Sequence, residues 1–121
     1  MTKDAPVVYV WGDEAFLVDR ALREIEADVL SGGGADFNRE MFEAPDASPS
    51  AVANAAKTLP FLGGRRLVLV KGAHQWPADA WQPLLPYIES PNPSTCLVFV
   101  AATLDRRTKA GKILEKKARL V

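Results

Sequence analysis

The chain has 121 residues, 48% hydrophobic and 25% charged, with fifteen basic and fifteen acidic side chains. That reads as one soluble, globular domain, long enough to bury a core without disulfides or a structural metal. No apolar run approaches the ~20 residues of a membrane span, and residues 1–20 lack the basic start and apolar middle of a signal peptide, so no membrane partner and a reducing cytoplasm are expected. The zero net charge hides a dipole along the chain: residues 1–60 carry −6 and residues 61–121 carry +6, most of the positive charge lying after Asp105.

Pro6-Val7-Val8-Tyr9-Val10-Trp11 is β-branched and aromatic and stops at Gly12, as a buried strand should. A helix follows. Asp13 is placed to cap it, Glu14 suits its positive end, and Val18, Leu22, Ile25 and Val29 form one apolar stripe before the glycines at 32–34. Phe37 to Phe42 reads as a short, half-exposed edge strand. Ser48-Pro49 is a strong helix start, predicting a helix over 49–58.

Residues 65–71 read as a second buried strand. Pro77 opens another helix, with Trp81, Leu84, Leu85 and Ile88 at helical spacing and Pro83 and Pro86 bending or shortening it. Residues 95–100 are a third strongly apolar strand, and 105–118 read as a basic helix weakened by Gly111. Strands alternating with helices, several of them continuously apolar, predict an α/β layer fold with a mostly parallel sheet. Arg119-Leu120-Val121 looks like the start of a further strand, so the chain is read as a fragment of a longer protein.

In such a fold, ligand chemistry belongs at the carboxyl ends of the strands. A phosphate-binding loop needs the spacing G-x-x-x-x-G-K-[ST]. After Gly12 the chain offers Leu17, Val18 and Asp19 at the last three positions, and it places Asp13 and Glu14 where phosphates would sit. After the second apolar strand, Lys71-Gly72 supplies no carboxylate for magnesium, and Asp79 is too far along. His74 is the single histidine, which excludes a histidine-rich metal cluster and suits a solvated loop. Cys96, the one cysteine, reads as a buried structural thiol, and Trp76 and Trp81 as core packing beneath the proline-rich segment. No catalytic residue, cofactor site or metal site is therefore assigned.

Two features lie outside that accounting. Leu59-Pro60-Phe61-Leu62 puts large apolar groups directly before Gly63-Gly64, where a connection is usually polar, and burying Phe61 or Leu62 would contribute roughly 1.5–3 kcal/mol each. These groups either fold back onto the core or face a partner. Arg106, Arg107, Lys109, Lys112, Lys116, Lys117 and Arg119 face Glu115 alone in charge, which fits either a solvated helix face or a nucleic-acid or partner contact.

Taken in order, Tyr9 to Leu17, Phe37-Asn38, Thr58 to Val70, Thr95 to Val100 and Asp105-Arg106-Arg107 with the lysine-rich helix resemble the N-terminal domain of the delta subunit of the bacterial DNA polymerase III clamp loader. The resemblance implies a three-layer, P-loop NTPase-like (AAA+-like) domain over 1–121 with a degenerate nucleotide site, the lid and C-terminal collar of longer family members being absent. It implies binding and opening of the sliding clamp, the beta subunit, through Leu59, Pro60, Phe61 and Leu62. Phe61 and Leu62 would enter the clamp's pocket, with Leu59 anchored in the core beneath them. It further implies a non-catalytic subunit of the bacterial cytoplasmic holoenzyme, with other loader subunits held by the missing C-terminal region and DNA contacted through the assembly. A nucleotide-using phosphotransferase and a DNA-binding module are the alternative readings.

Overall fold

Strands β1 (Val7–Trp11), β2 (Arg39–Glu43), β3 (Arg66–Lys71), β4 (Thr95–Ala101) and β5 (Arg119–Leu120) form one sheet in the order β2-β3-β4-β1-β5. Every neighbouring pair is parallel, with Val8 beside Val98, Leu69 beside Val98 and Met41 beside Leu69 in register. The computed structural model describes residues 5–29, 39–58 and 65–121. Helices α1 (Ala15–Val29), α2 (Pro49–Lys57), α3 (Leu85–Glu89) and α4 (Lys109–Lys117) supply the crossovers that parallel strands require.

The central strands are apolar throughout because both faces of the sheet are covered. Val8, Val10, Leu67, Leu69, Cys96 and Val98 meet Leu22, Ile25 and Val29 of α1 on one face. Their alternates Val7, Tyr9, Val68, Val70, Leu97 and Phe99 pack on the other face against α2, α3 and α4. This is the expected three-layer arrangement. The strand at the β2 edge differs: Arg39, Met41 and Glu43 are exposed, and the charges discourage pairing with another chain. Residues 37 and 38, expected in that strand, lie outside the described residues.

Local signals explain the helix starts, with some shifts from expectation. Ser48 Oγ accepts the Ala51 N–H at 3.1 Å, and Pro49 occupies the first turn, where its missing N–H costs no helical bond. At α1 the first helical bond runs from Val18 N–H to the Glu14 carbonyl at 3.1 Å, so Glu14 stands at the cap position expected of Asp13. The segment after Pro77 is a 3-10 helix, Ala78–Leu84, that passes into the five-residue α3. Pro83 and Pro86 have no N–H to give to an α-helical ladder.

The basic helix is shorter than expected. It runs from Lys109, because Thr108 Oγ1 accepts the Gly111 N–H at 2.9 Å and ends the preceding turn. Asp105, Arg106 and Arg107 belong to that turn. Gly111 is buried, and a Cβ there would overlap the Asp105 carbonyl, so the glycine permits a close approach of helix and turn.

Candidate functional site

In an open parallel sheet, ligands settle at the carboxyl edge of the strands. Here that edge holds a cleft of about 260 Å³ between Gly12, Asp13 and Asp19 on one side and Gly72, His74 and Ala102 on the other. Gly12 has φ 152°, and its N–H donates to Ala101 at 3.2 Å, tying the loop after β1 to the end of β4. Among the described residues, the cleft lining includes no lysine, arginine, serine or threonine. His74 is exposed as expected, though on a 3-10 turn over Ala73–Gln75, and its Nδ1 accepts the Ala102 N–H at 3.1 Å.

A neighbouring cavity of about 240 Å³ is framed by Tyr9, His74, Trp76, Trp81, Thr103 and Thr108. The hydroxyl of Tyr9 and the indole N–H of Trp76 are already engaged. Tyr9 O–H donates to Thr103 at 2.8 Å, and burial pushes its pKa up to about 12. Trp76 Nε1 donates to Ala47 at 3.0 Å while its ring meets Trp81 edge-on at 5.1 Å, the packing role expected of both indoles. Cys96 is buried, which pushes its thiol up to about 11 despite Arg65 and Arg119 nearby, the opposite of what a nucleophile needs. Among the described residues no cluster of three or more His, Cys, Asp or Glu is arranged for a metal.

The opposite, amino edge of the sheet is built differently. Helix α2 runs back from the carboxyl edge and delivers Thr58 close to the start of β3, and the segment Leu59, Pro60, Phe61, Leu62 lies outside the described residues. What holds its flanks is well defined. Arg66, only 9% exposed, donates from Nε to the Ala55 carbonyl at 3.1 Å and from its terminal nitrogen to Glu40 of β2. The Tyr87 hydroxyl, from α3, donates to the Ala56 carbonyl at 3.3 Å and accepts the Asn92 N–H at 3.2 Å. Sequence reasoning missed both residues. The available signal was a charge opening an otherwise apolar strand at Arg66, since a buried arginine requires partners.

Six of the seven basic candidates, all but Arg119 of β5, divide into two sets. Arg106 lies 5.7 Å from the Trp11 ring centroid and pairs with Glu115 at 3.3 Å. Arg107 pairs with Asp105 at 3.0 Å, and this contact holds the Asp105 carboxyl below its usual range. Lys109, Lys112, Lys116 and Lys117 instead line a groove of about 410 Å³ with Ile113 and Glu89, between α4 and α3. None of these four lysines has an ion-pair partner among the described residues.

With this geometry in place, comparison with known proteins decides the family. Residues 9–121 match the family described as DNA polymerase III, delta subunit. The chain belongs to that delta-subunit family. It is 34% identical over 124 aligned residues to the DNA polymerase III subunit delta of Bacillus subtilis (strain 168), covering 93% of this chain and 35% of the relative. Among solved structures, the Bacillus subtilis DNA clamp loader delta protein superposes with a TM-score of 0.85 at 31% identity, over 96% of this chain and 37% of that one. A DNA polymerase III gamma subunit-related protein of Thermotoga maritima shares the fold, with a TM-score of 0.69 at 14% identity over 98% of this chain and 40% of that one. The delta-family chain described here thus spans about a third of the length of the relatives it matches.

Proposed function

We propose that this delta-family domain binds the sliding clamp through Leu59, Pro60, Phe61 and Leu62 and favours the open form of the ring, without hydrolysing ATP itself. The observation that carries this reading is the close likeness, at TM-score 0.85, to a protein described as a DNA clamp loader delta protein. Two physical points support it. A few apolar anchors can supply most of an interface's binding energy, and Phe61 with Leu62 is the pair best suited to that role. A domain that binds an open ring more tightly than a closed one shifts the equilibrium by that difference alone.

The carboxyl-edge cleft supports a non-nucleotide role. Asp13 and Asp19 line it with no cation among its described residues, and two unit charges of like sign near 4 Å repel by ~4 kcal/mol at intermediate dielectric. The partners under this reading are the clamp's beta subunit, other loader subunits reached through the region that the longer relatives possess, and DNA within the assembly. A bacterial cytoplasmic location follows from that role; among the described residues no helix is long and apolar enough to cross a membrane.

The test is calorimetric titration of the clamp into the parent chain and into the Phe61→Ala, Leu62→Ala double variant. Loss of binding in the double variant is the expected result, and equal affinity would refute the assignment. A second reading, direct DNA contact through α4, is favoured by the unpaired lysines of its groove. Reversing Lys112 and Lys116 to glutamate should then reduce the salt dependence of DNA affinity by about one unit of slope per lost phosphate contact. An unchanged slope would dismiss that reading.

A further inference from the structure

Helix α4 arranges its lysines around one apolar residue. Ile113 is partly buried against the core, and Lys109, Lys116 and Lys117 stand four residues before it, three after it and four after it, the spacings that bring side chains together on a helix surface. Lys112 directly precedes Ile113 and neighbours both Lys109 and Lys116 by the same spacing rule. With Glu89 of α3, these residues line the groove of about 410 Å³.

Within the chain this charge goes unanswered. Glu115, the carboxylate of α4 itself, pairs with Arg106, and among the described residues none of the four lysines has an ion-pair partner, although Glu89 lines the same groove. All four lysines are exposed. A complementary partner therefore brings negative charge for the lysines and an apolar group for Ile113.

These two demands separate the chemical classes. A nucleic-acid backbone answers the lysines alone. The groove lining has no arginine fork for a phosphate and no aromatic ring for a base, and Glu89 would stand against the phosphates. An acidic protein segment can answer both demands. Residues 109 to 117 of α4 span about 12 Å, the reach of about four extended residues. We infer that the groove between α3 and α4 is a docking site for an acidic, extended segment of another protein, its carboxylates against Lys109, Lys112, Lys116 and Lys117 and one aliphatic or aromatic anchor over Ile113. The DNA reading claims the same lysines, and the apolar residue at their centre is what favours the peptide.

Fluorescence anisotropy tests this on the whole chain with three labelled probes at one low salt concentration. They are a peptide of about five residues with a phenylalanine between pairs of aspartates, the same peptide with alanine for phenylalanine, and a short DNA duplex. The anchored peptide should bind about tenfold more tightly than its alanine counterpart. Lys112→Gln combined with Lys116→Gln should weaken the anchored peptide about fivefold, and both positions are exposed, so the fold is kept. Ile113→Ala should bring the two peptides to nearly equal affinity, because the anchor and Ile113 act as a pair. Should Ile113→Ala not fold, the two peptides on the parent chain decide alone. Equal affinity of both peptides for the parent chain, or no saturable binding of the anchored one, would overturn the proposal. Duplex binding that the lysine variant weakens, with both peptides silent, would overturn it too and return the groove to DNA. Neither result bears on the clamp-binding reading of Leu59 to Leu62, which involves none of these residues.

Discussion

The carboxyl and amino edges of this sheet pose opposite problems. At the carboxyl edge the fold provides a cleft, two glycines and the start of α1, all in the place where parallel sheets hold ligands, yet Asp13 and Asp19 line it without a cation among the described residues. At the amino edge no ligand is expected from the fold, yet a buried arginine and a tyrosine hydroxyl secure the last carbonyls before Leu59. Under the proposed clamp-binding role, the fold's customary site serves as scaffold and the binding surface lies at the far end. Function has to be argued from side chains, because the layer architecture alone points to the carboxyl edge whatever residues line it.

The largest expected effect breaks the comparison at the amino edge. Replacing Phe61 and Leu62 with alanine should cost about 4 kcal/mol of clamp binding, roughly a thousandfold in affinity, if each truncation costs the ~2 kcal/mol typical of interface hot spots. Calorimetry measures it directly. Next comes the turn beside the carboxyl edge. Gly111→Ala drives a methyl into the Asp105 carbonyl and should lower stability by about 1–3 kcal/mol, seen in urea melts, by pushing α4 off the 105–108 turn. A smaller effect separates the two ends of one helix. Ser48→Ala removes the cap of α2 at its carboxyl-edge end and should cost ~1 kcal/mol of stability, with clamp affinity unchanged because the cap lies at the helix end away from Leu59.

The smallest effect at neutral pH concerns the buried titrating groups between the two edges. Cys96 is raised from 9.0 to about 11 and Tyr9 from 10.0 to about 12, both by burial, so the folded chain holds its protons after the unfolded chain has released them. Stability contributed this way is fully present below pH 9 and is lost as pH rises toward 11 for Cys96, and from 10 toward 12 for Tyr9. Denaturant melts should therefore show no pH dependence from either group at pH 7 to 8 and a decline beginning above pH 9. Cys96→Ala should flatten the first part of that decline.

The layers were legible in the sequence because apolar continuity reports burial on two faces. Val7 to Val10, Leu67 to Val70 and Cys96 to Phe99 could belong only to a covered sheet, and the mixed polar and apolar run before Glu43, though it alternates poorly, read as a half-exposed edge. Helix starts with a side-chain cap and a following proline, as at Ser48-Pro49, were equally plain. What sequence hid were relations between distant backbone atoms. Gly111 looked like a weak point of a helix, although its missing Cβ admits the Asp105 carbonyl, and the run from Asp105 looked helical until Thr108 capped the helix in its place. The basic run was visible as charge, but its division into paired arginines and unpaired lysines depends on Asp105, Glu115 and Trp11 meeting it in space. Arg66 was hidden for the same reason, since its partners Glu40 and Ala55 lie 26 and 11 residues away in the chain.

The contrast between the two edges can be put to one sample. Titrate the chain first with magnesium–ATP and then with the sliding clamp in a calorimeter. The account predicts no saturable heat from the nucleotide and a saturable, stoichiometric heat from the clamp that the nucleotide leaves unchanged; saturable ATP binding together with a silent clamp titration would contradict it.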